Sequence, residues 1–175
     1  MYNFAMSTNK IRRIWEERFV QDTNPAEKQG LSYLAFTEII HFASAVILFL
    51  LFFKPYGVLS ASLSFFGAFL IDSDHMVDYL VFVFKGEKSF SLQKFFQADF
   101  FKDTKKIFIP LHSWELCFLL ILGHYVFLTP AFLILGISMF VHLVTDQITN
   151  NVRVGTYFLS WRVLKGFDKN VVCKK

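Results

Sequence analysis

The 175-residue chain is 54% hydrophobic, with a mean hydropathy of +0.44 and a formal net charge of +4. This hydrophobic share exceeds the roughly 45–50% of ordinary soluble domains, so it disfavours a soluble enzyme and leaves a wholly helical soluble bundle as an alternative. The 18 lysines and arginines fall in blocks between apolar stretches, which is typical of a membrane surface rather than of a nucleic-acid interface. The two cysteines, Cys117 and Cys173, lack CxxC spacing and make no disulfide framework.

Residues 1–30 form a polar, charged segment in which four apolar side chains recur at helical spacing. These side chains are Ile11, Ile14, Trp15 and Phe19. The pattern predicts an amphipathic helix that lies on the membrane surface. The segment lacks the apolar core and the small-residue cleavage site of a signal peptide, so we expect it to be retained.

Four apolar stretches follow, at about 36–53, 56–71, 107–128 and 131–147. Short connections join them in pairs, so the sequence predicts two helical hairpins, at 36–71 and 107–150. Two of the stretches are shorter than the roughly 20 residues of a full span, which a tilted or re-entrant path accommodates. We therefore expect a single domain, residues 1–175, that is an all-α integral-membrane helical bundle. It has about four membrane-embedded helices in two hairpins, plus amphipathic interfacial helices.

The loop at 72–106 and the tail at 151–175 are rich in lysine and arginine. By the positive-inside rule, this loop and both termini are predicted to be cytoplasmic. Within the loop, four apolar residues share one helical face and predict a second interfacial helix. These residues are Leu92, Phe95, Phe96 and Phe100.

Histidines and carboxylates from four separate segments fall at the same predicted membrane face. Ionisable side chains inside a membrane are expensive and usually face a cavity, a partner or a functional path, so this convergence predicts a metal site near the cytoplasmic surface. The candidate metal ligands are His41, Asp72, Asp74, His75, Asp78, His112, His142 and Asp146. His124 lies about 18 Å along the helix from His112 at 1.5 Å per residue, so we expect it near the opposite surface.

Imidazole and carboxylate ligands suit zinc, with manganese and iron as alternatives, and the set is large enough for one or two ions. Asp74 or Asp78 is the candidate for a bridging carboxylate. A divalent metal in this site would activate water for hydrolysis, with Asp74 and Glu115 as the catalytic candidates and Glu38 as a further orienting residue or base. The alternative interpretation is structural: a charged helix end at 72–78, and a His142–Asp146 pair that joins helices.

Three blocks of residues give the chain a resemblance to a bacterial family. They are Asp72-Ser73-Asp74-His75, Leu111-His112-Ser113 and His142-Leu143-Val144-Thr145-Asp146. Together with His41 they stand in the order found in the inner-membrane metal-dependent hydrolases of the LexA-binding, YdjM-type family, which the chain resembles over about residues 41–150. The resemblance implies a divalent metal bound at these positions, and a multi-pass protein of the cell inner membrane.

The chain departs from the family pattern at two places. Ile71 stands where a proline often precedes the first aspartate, and the arginine that often precedes the His-Ser pair is missing. If that arginine grips an anionic substrate in the family, Lys105 or Lys106 is the candidate to do so here. The H-x-x-x-D element is also similar to that of zinc-dependent phospholipases C and related nucleases, an analogy that implies a phosphoester substrate.

We therefore expect a membrane-bound metal-dependent hydrolase whose partners are membrane lipids and a small-molecule or lipid phosphoester, without direct nucleic-acid binding. A metal-ion transporter or sensor and a non-catalytic membrane scaffold are the alternatives. A di-iron desaturase is disfavoured, because the sequence has five histidines and no H-x-x-H-H cluster. The substrate, the oligomeric state and any binding to LexA stay open.

Overall fold

The computed structural model describes residues 31–86, 89–92, 95, 104–150, 152–153 and 155–172. Within these ranges every regular element is helical, apart from one isolated antiparallel bridge between Lys106 and Asp168. The predicted amphipathic helix in 1–30 lies outside the described residues, and so does most of the predicted interfacial helix at 92–100. The all-helical prediction is confirmed for the part of the chain that the structure describes.

The first helix, α1 (Leu31–Ala61), runs through the first predicted apolar stretch and beyond it. At the predicted connection around Lys54, the chain kinks inside this helix, with Pro55 in the helix and Gly57 at a φ of 77°. Proline removes one backbone hydrogen bond and glycine tolerates a positive φ, so together they bend the helix. Beyond the kink the Ser64 hydroxyl donates to the carbonyl of Ala45, at 3.2 Å, so the chain turns back at this predicted connection.

A short helix, α2 (Leu63–Ala68), and a 3₁₀ turn (Leu70–Ser73) carry the chain to α3 (Asp74–Lys85). The predicted stretch at 56–71 is therefore divided between the end of α1, α2 and the turn, and does not form one helix. This division places Asp72 in the turn and Asp74 at the first position of α3, so that the chain changes direction among its acidic side chains.

The second hairpin consists of α4 (Trp114–Phe127) and α5 (Pro130–Thr149). Helix α4 begins at Trp114 because the Ser113 hydroxyl accepts a hydrogen bond from the backbone N–H of Leu116, at 3.2 Å, which is the usual role of an N-cap serine. Residues 107–113 form a loop instead of the first turns of the predicted helix.

Two glycines allow α5 to lie close to its neighbours. A Cβ added to Gly67 of α2 would lie 2.7 Å from Ser138 Cβ and 2.9 Å from the Leu135 carbonyl oxygen. One added to Gly136 of α5 would lie 2.7 Å from Cγ1 of Ile121. Small residues at helix crossings are the usual means of close approach between membrane helices. Helix α5 is thus central, in contact with α1, α2 and α4.

Two described helices are long and apolar enough to cross a membrane, namely Phe36–Ala61 of α1 and the whole of α5. The 20 residues of α5 span about 30 Å, which matches a hydrocarbon core of about 30 Å, whereas the 26 residues of the first helix include the kink at Gly57. Helix α4, with 14 residues, is shorter. Apolar side chains on these helices face outwards, among them Ile39 and Leu50, which are 65% and 64% exposed. The described residues thus contain two helices of spanning length rather than four.

The C-terminal segment folds back on the loop before α4. It carries two short helices, α6 (Leu159–Leu164) and α7 (Lys169–Val172). The Ile107 N–H donates to the carbonyl of Phe167, at 3.1 Å, and the Trp114 N–H donates to the carbonyl of Tyr157, at 2.9 Å. The part of the predicted basic tail that the structure describes is therefore packed against the loop at 105–114.

Candidate metal centre

Four of the predicted ligands meet at one point in the fold. Asp72 comes from the 3₁₀ turn, His112 from the loop before α4, and His142 and Asp146 from the last half of α5. Their ligand atoms all lie within 4.8 Å of one another. The last two are four residues apart on a helix, which places them on one face, and packing of the turn and the loop against that face supplies the other two.

Five of the six distances among four ligand atoms lie between 3.1 and 3.5 Å, and we call these atoms the ligand tetrahedron: Asp72 Oδ1, His112 Nε2, His142 Nε2 and Asp146 Oδ2. His112 Nε2 lies 3.1 Å from the Asp72 atom, 3.4 Å from the Asp146 atom and 3.1 Å from the His142 atom. His142 Nε2 lies 3.5 Å from each carboxylate oxygen. Ligands at about 2.0–2.1 Å from a tetrahedral zinc ion are about 3.3 Å apart, so the described atoms have the spacing of a zinc site.

Hydrogen bonds on the far sides of the two imidazoles determine which nitrogen faces the centre. His142 Nδ1 lies 3.1 Å from the carbonyl oxygen of Ala68, which only accepts, so Nδ1 carries the proton. His112 Nδ1 lies 3.1 Å from the carboxylate of Asp74. In the neutral rings both Nε2 atoms then carry lone pairs that face each other at 3.1 Å. Only a proton or a cation between them makes this arrangement favourable.

The charges around His112 lead to the same conclusion. Burial lowers the pKa of His112, but hydrogen bonds to Asp146, Asp72 and Asp74 outweigh the burial and raise it well above its usual range. Burial likewise raises the pKa of Asp72, yet its hydrogen bonds with histidines hold it well below the usual value. Three carboxylates around two buried imidazoles therefore attract positive charge, and the donor set fits a divalent metal ion.

Two further predicted ligands border the tetrahedron. His41 Nε2 lies 3.2 Å from Asp146 Oδ1, the carboxylate oxygen outside the tetrahedron, and its ring stacks on His142 with 4.0 Å between centroids. His75 Nε2 lies 3.5 Å from Asp72 Oδ1. The side chains of His75 and Asp72 are 26% and 21% exposed, whereas those of His112 and His142 are 0% exposed. The accessible edge of the centre is thus the edge formed by Asp72 and His75.

Asp74 and Asp78 have other partners than the tetrahedron. Asp74 Oδ2 accepts the backbone N–H of Leu111 at 2.9 Å in addition to facing His112 Nδ1. Asp78 accepts the backbone N–H of Phe108 with both oxygens, at 2.9 and 3.1 Å. Both carboxylates therefore hold the loop of His112 against α3. Asp74 does belong to a second group of possible ligands, with His75 and His112 Nδ1.

Glu115 lies at the start of α4 and contacts the C-terminal segment. Its carboxylate accepts the N–H groups of Leu159 and Ser160, each at 2.9 Å, and the Ser160 hydroxyl at 2.7 Å. Partial burial raises the pKa of Glu115, but these hydrogen bonds outweigh it and hold the pKa at about 2. Glu38 is exposed on α1. His124, at the other end of α4, has Nδ1 2.9 Å from the Thr129 carbonyl.

Sequence reasoning missed two residues that support the centre. The Tyr157 hydroxyl donates to Asp146 Oδ2, at 3.2 Å, and burial with the nearby carboxylate raises its pKa well above the usual value, so it keeps its proton. Arg162 is completely buried and donates to the carbonyls of Phe108, of Ile109 at 2.7 Å and of His112 at 2.6 Å. Neither lies in an apolar stretch with other ligand-type residues, so the sequence carries no local signal for them.

Comparison of this chain with protein-family models, with curated proteins and with solved structures found no match.

Proposed function

We propose that this protein is a membrane-bound, divalent-metal-dependent hydrolase that cleaves a phosphoester at the depth of the lipid headgroups. The observation that carries the proposal is the ligand tetrahedron, with edges of 3.1–3.5 Å among its two imidazoles and between each imidazole and each carboxylate. Both imidazoles have their far nitrogens occupied by acceptors, as metal-binding histidines usually do. Zinc suits this donor set best, with manganese and iron as alternatives.

The residues of the centre divide into those that hold a metal and those that could handle protons. A bound divalent ion supplies Lewis-acid activation of water and stabilises negative charge on a phosphoryl oxygen. The buried side chains of His112, His142 and Asp146 would hold the ion. Asp72 and His75 lie at the accessible edge, where substrate and water enter, and His75 Nε2 is placed to accept or donate a proton there.

The length of the helices and the position of the basic residues support a location in the membrane. The described helices include two of spanning length, and α2 and α4 complete two hairpins of membrane-embedded helices. By the positive-inside rule, the lysine-rich loop and the basic C-terminal segment favour a cytoplasmic position for the metal centre and both termini. In a bacterium this is the inner membrane, which agrees with membership of the YdjM-type family proposed from the order of ligands. A centre at this depth reaches lipid-linked phosphoesters as well as small soluble ones.

The experiment that tests the proposal combines metal content with turnover. The full chain is purified in detergent, and metal is measured by elemental mass spectrometry in the wild type, His142→Ala and Asp146→Asn. His124→Ala is the matched control, because that histidine lies outside the centre. We expect one equivalent of metal or more in the wild type and control, its loss from both site variants, and hydrolysis of bis(p-nitrophenyl) phosphate or phosphatidic acid only where metal is retained. Full turnover in His142→Ala would contradict the proposal.

A second candidate function, a metal sensor, is favoured by one observation. All four corners of the tetrahedron are protein atoms, and closed four-ligand sites are typically structural, whereas catalytic sites keep one position open. Metal that is bound stoichiometrically without hydrolysis of any phosphoester tested would favour this function. A wild type that binds no metal after reconstitution with zinc and manganese would leave only a membrane scaffold.

A further inference from the structure

A pocket of about 430 Å³ lies beside the metal centre, between the C-terminal half of α3 and the loop at 104–108. Asp78 and Phe108 form the wall nearest the centre, and they are the pair whose hydrogen bonds hold the loop on α3. Lys85 lines the pocket from the last turn of α3, and Lys105 and Lys106 line it from the loop. The pocket is thus built from the same two elements that position His112.

The described lining of this pocket is unbalanced in charge. It contains three lysines and one carboxylate, that of Asp78, which already accepts the backbone N–H of Phe108 with both oxygens. Among the described residues, none of the three lysines forms an ion pair with a carboxylate. Like charges brought together at a concave surface raise the local concentration of anions, so the pocket favours an anionic ligand.

The surroundings of the lysines are apolar and exposed. Val81 and Phe82 line the pocket, and next to Lys85 the side chain of Phe84 is 77% exposed. Lysine beside exposed phenylalanine is typical of a segment at the membrane surface, where the charge meets phosphate and the ring meets acyl chains. A phosphate that carries a hydrocarbon tail satisfies both features.

We propose that this pocket binds a phosphate group, presented by an anionic phospholipid of the membrane that surrounds the protein. Lys85 lies 11 residues after Asp74 on α3, or about 16 Å along the helix. None of the four residues of the ligand tetrahedron lines the pocket. The pocket is a separate binding site, and its occupation requires neither bound metal nor hydrolysis.

The test measures binding of soluble probes to the full chain in dodecyl maltoside by isothermal titration calorimetry. The probes are inorganic phosphate, dihexanoyl phosphatidic acid and dihexanoyl phosphatidylcholine. The variant is Lys105→Gln with Lys106→Gln, and the matched control is Lys54→Gln with Lys165→Gln, which removes the same charge outside the pocket. We expect the wild type to bind phosphatidic acid more tightly than phosphatidylcholine. The affinity for phosphatidic acid should fall by roughly tenfold or more in the pocket variant and stay unchanged in the control. Lys105→Arg with Lys106→Arg should retain it.

The set of probes that bind shows which part of the lipid the pocket recognises. Binding of phosphatidic acid together with inorganic phosphate, both weakened in the pocket variant, identifies phosphate as the recognised group; binding of phosphatidic acid alone identifies the lipid as its source. Wild-type affinity in the glutamine variant, or equal affinity for phosphatidylcholine, would overturn the proposal. Repeating the titration with His142→Ala separates this site from the metal centre, because binding there should persist when metal binding is lost.

Discussion

Asp74 Oδ2 lies 3.1 Å from Nδ1 of His112, on the side of the ring opposite to the ligand tetrahedron. The same oxygen accepts the backbone N–H of Leu111 at 2.9 Å. Asp74 thus orients the imidazole and increases its basicity, which is the usual role of a carboxylate behind a metal-binding histidine. Asp72, in contrast, directs an oxygen into the tetrahedron itself.

This difference predicts unequal effects of two similar substitutions. Asp74→Asn should weaken zinc binding by about 10- to 100-fold, while Asp72→Asn should remove a ligand and reduce the stoichiometry below one. Competition against a chelating dye measures both quantities. If Asp74→Asn abolished binding and Asp72→Asn left it intact, Asp74 would be the ligand, in the second group with His75 and His112 Nδ1.

Tyr157→Phe removes the hydroxyl that donates to Asp146 Oδ2. A hydrogen bond to a charged acceptor contributes about 1.5–3 kcal/mol. Without it the Asp146 carboxylate is held less firmly, and part of the lost free energy appears as weaker metal binding. We expect the affinity for zinc to fall by roughly tenfold with the stoichiometry unchanged. Tyr125→Phe is a matched control, since Tyr125 is exposed on α4. Equal affinities in the wild type and Tyr157→Phe would show that the hydroxyl does not support the centre.

Arg162→Met should lower the free energy of unfolding, because Arg162 holds the loop before α4 in place. The guanidinium donates to three loop carbonyls, and the shorter, apolar methionine leaves these buried acceptors without donors, at a cost of roughly 2–4 kcal/mol. Thermal unfolding in detergent, followed by circular dichroism, measures the loss. Arg153→Met is the control for the change of charge. Arg162→Lys should recover only part of the stability, because one ammonium cannot reproduce the planar fork.

Glu115→Gln should change the dependence of stability on pH. The folded-state pKa of Glu115, about 2, lies below its ordinary value of 4.5, so the ionised carboxylate stabilises the fold above pH 4.5 and this contribution is lost as the pH falls towards 2. We expect Glu115→Gln to be less stable than the wild type at pH 6, by about 1 kcal/mol after allowance for solvent screening. The difference should vanish near pH 2. A difference of the same size at both pH values would refute this account.

Gly67→Ala should disturb the contact between α2 and α5. The new Cβ would lie 2.7 Å from Ser138 Cβ and 2.9 Å from a backbone oxygen, so α2 must move, and with it the Ala68 carbonyl that accepts from His142 Nδ1. We expect lower thermal stability by roughly 1–3 kcal/mol and weaker zinc binding. Gly123→Ala is the control, because its nearest contact is the Phe132 ring at 3.3 Å, which can rotate away.

Some features could be predicted from local sequence, because they depend on the chemistry of a short segment. The long apolar runs predict helices. In lipid there is no water to hydrogen-bond the backbone, and a helix pairs its own N–H and C=O groups. His142 and Asp146 share a helix face whatever the helix packs against. The second apolar stretch was less predictable: a run of this kind does not reveal that the helix ends at Ala68 and gives way to a 3₁₀ turn.

Which ligand-type residues meet, and which of them orient the others, depends on how distant segments pack. His112 is separated from Asp72 by 40 residues and from His142 by 30, and the approach of the loop to α5 determines that Nε2 of His112 faces the centre and Nδ1 faces Asp74. Arg162, 50 residues from His112, determines the path of that loop. Which side chains can bind a metal follows from the amino-acid sequence alone, because that is a property of each residue. The distances between them depend on helix packing and on hydrogen bonds between distant segments.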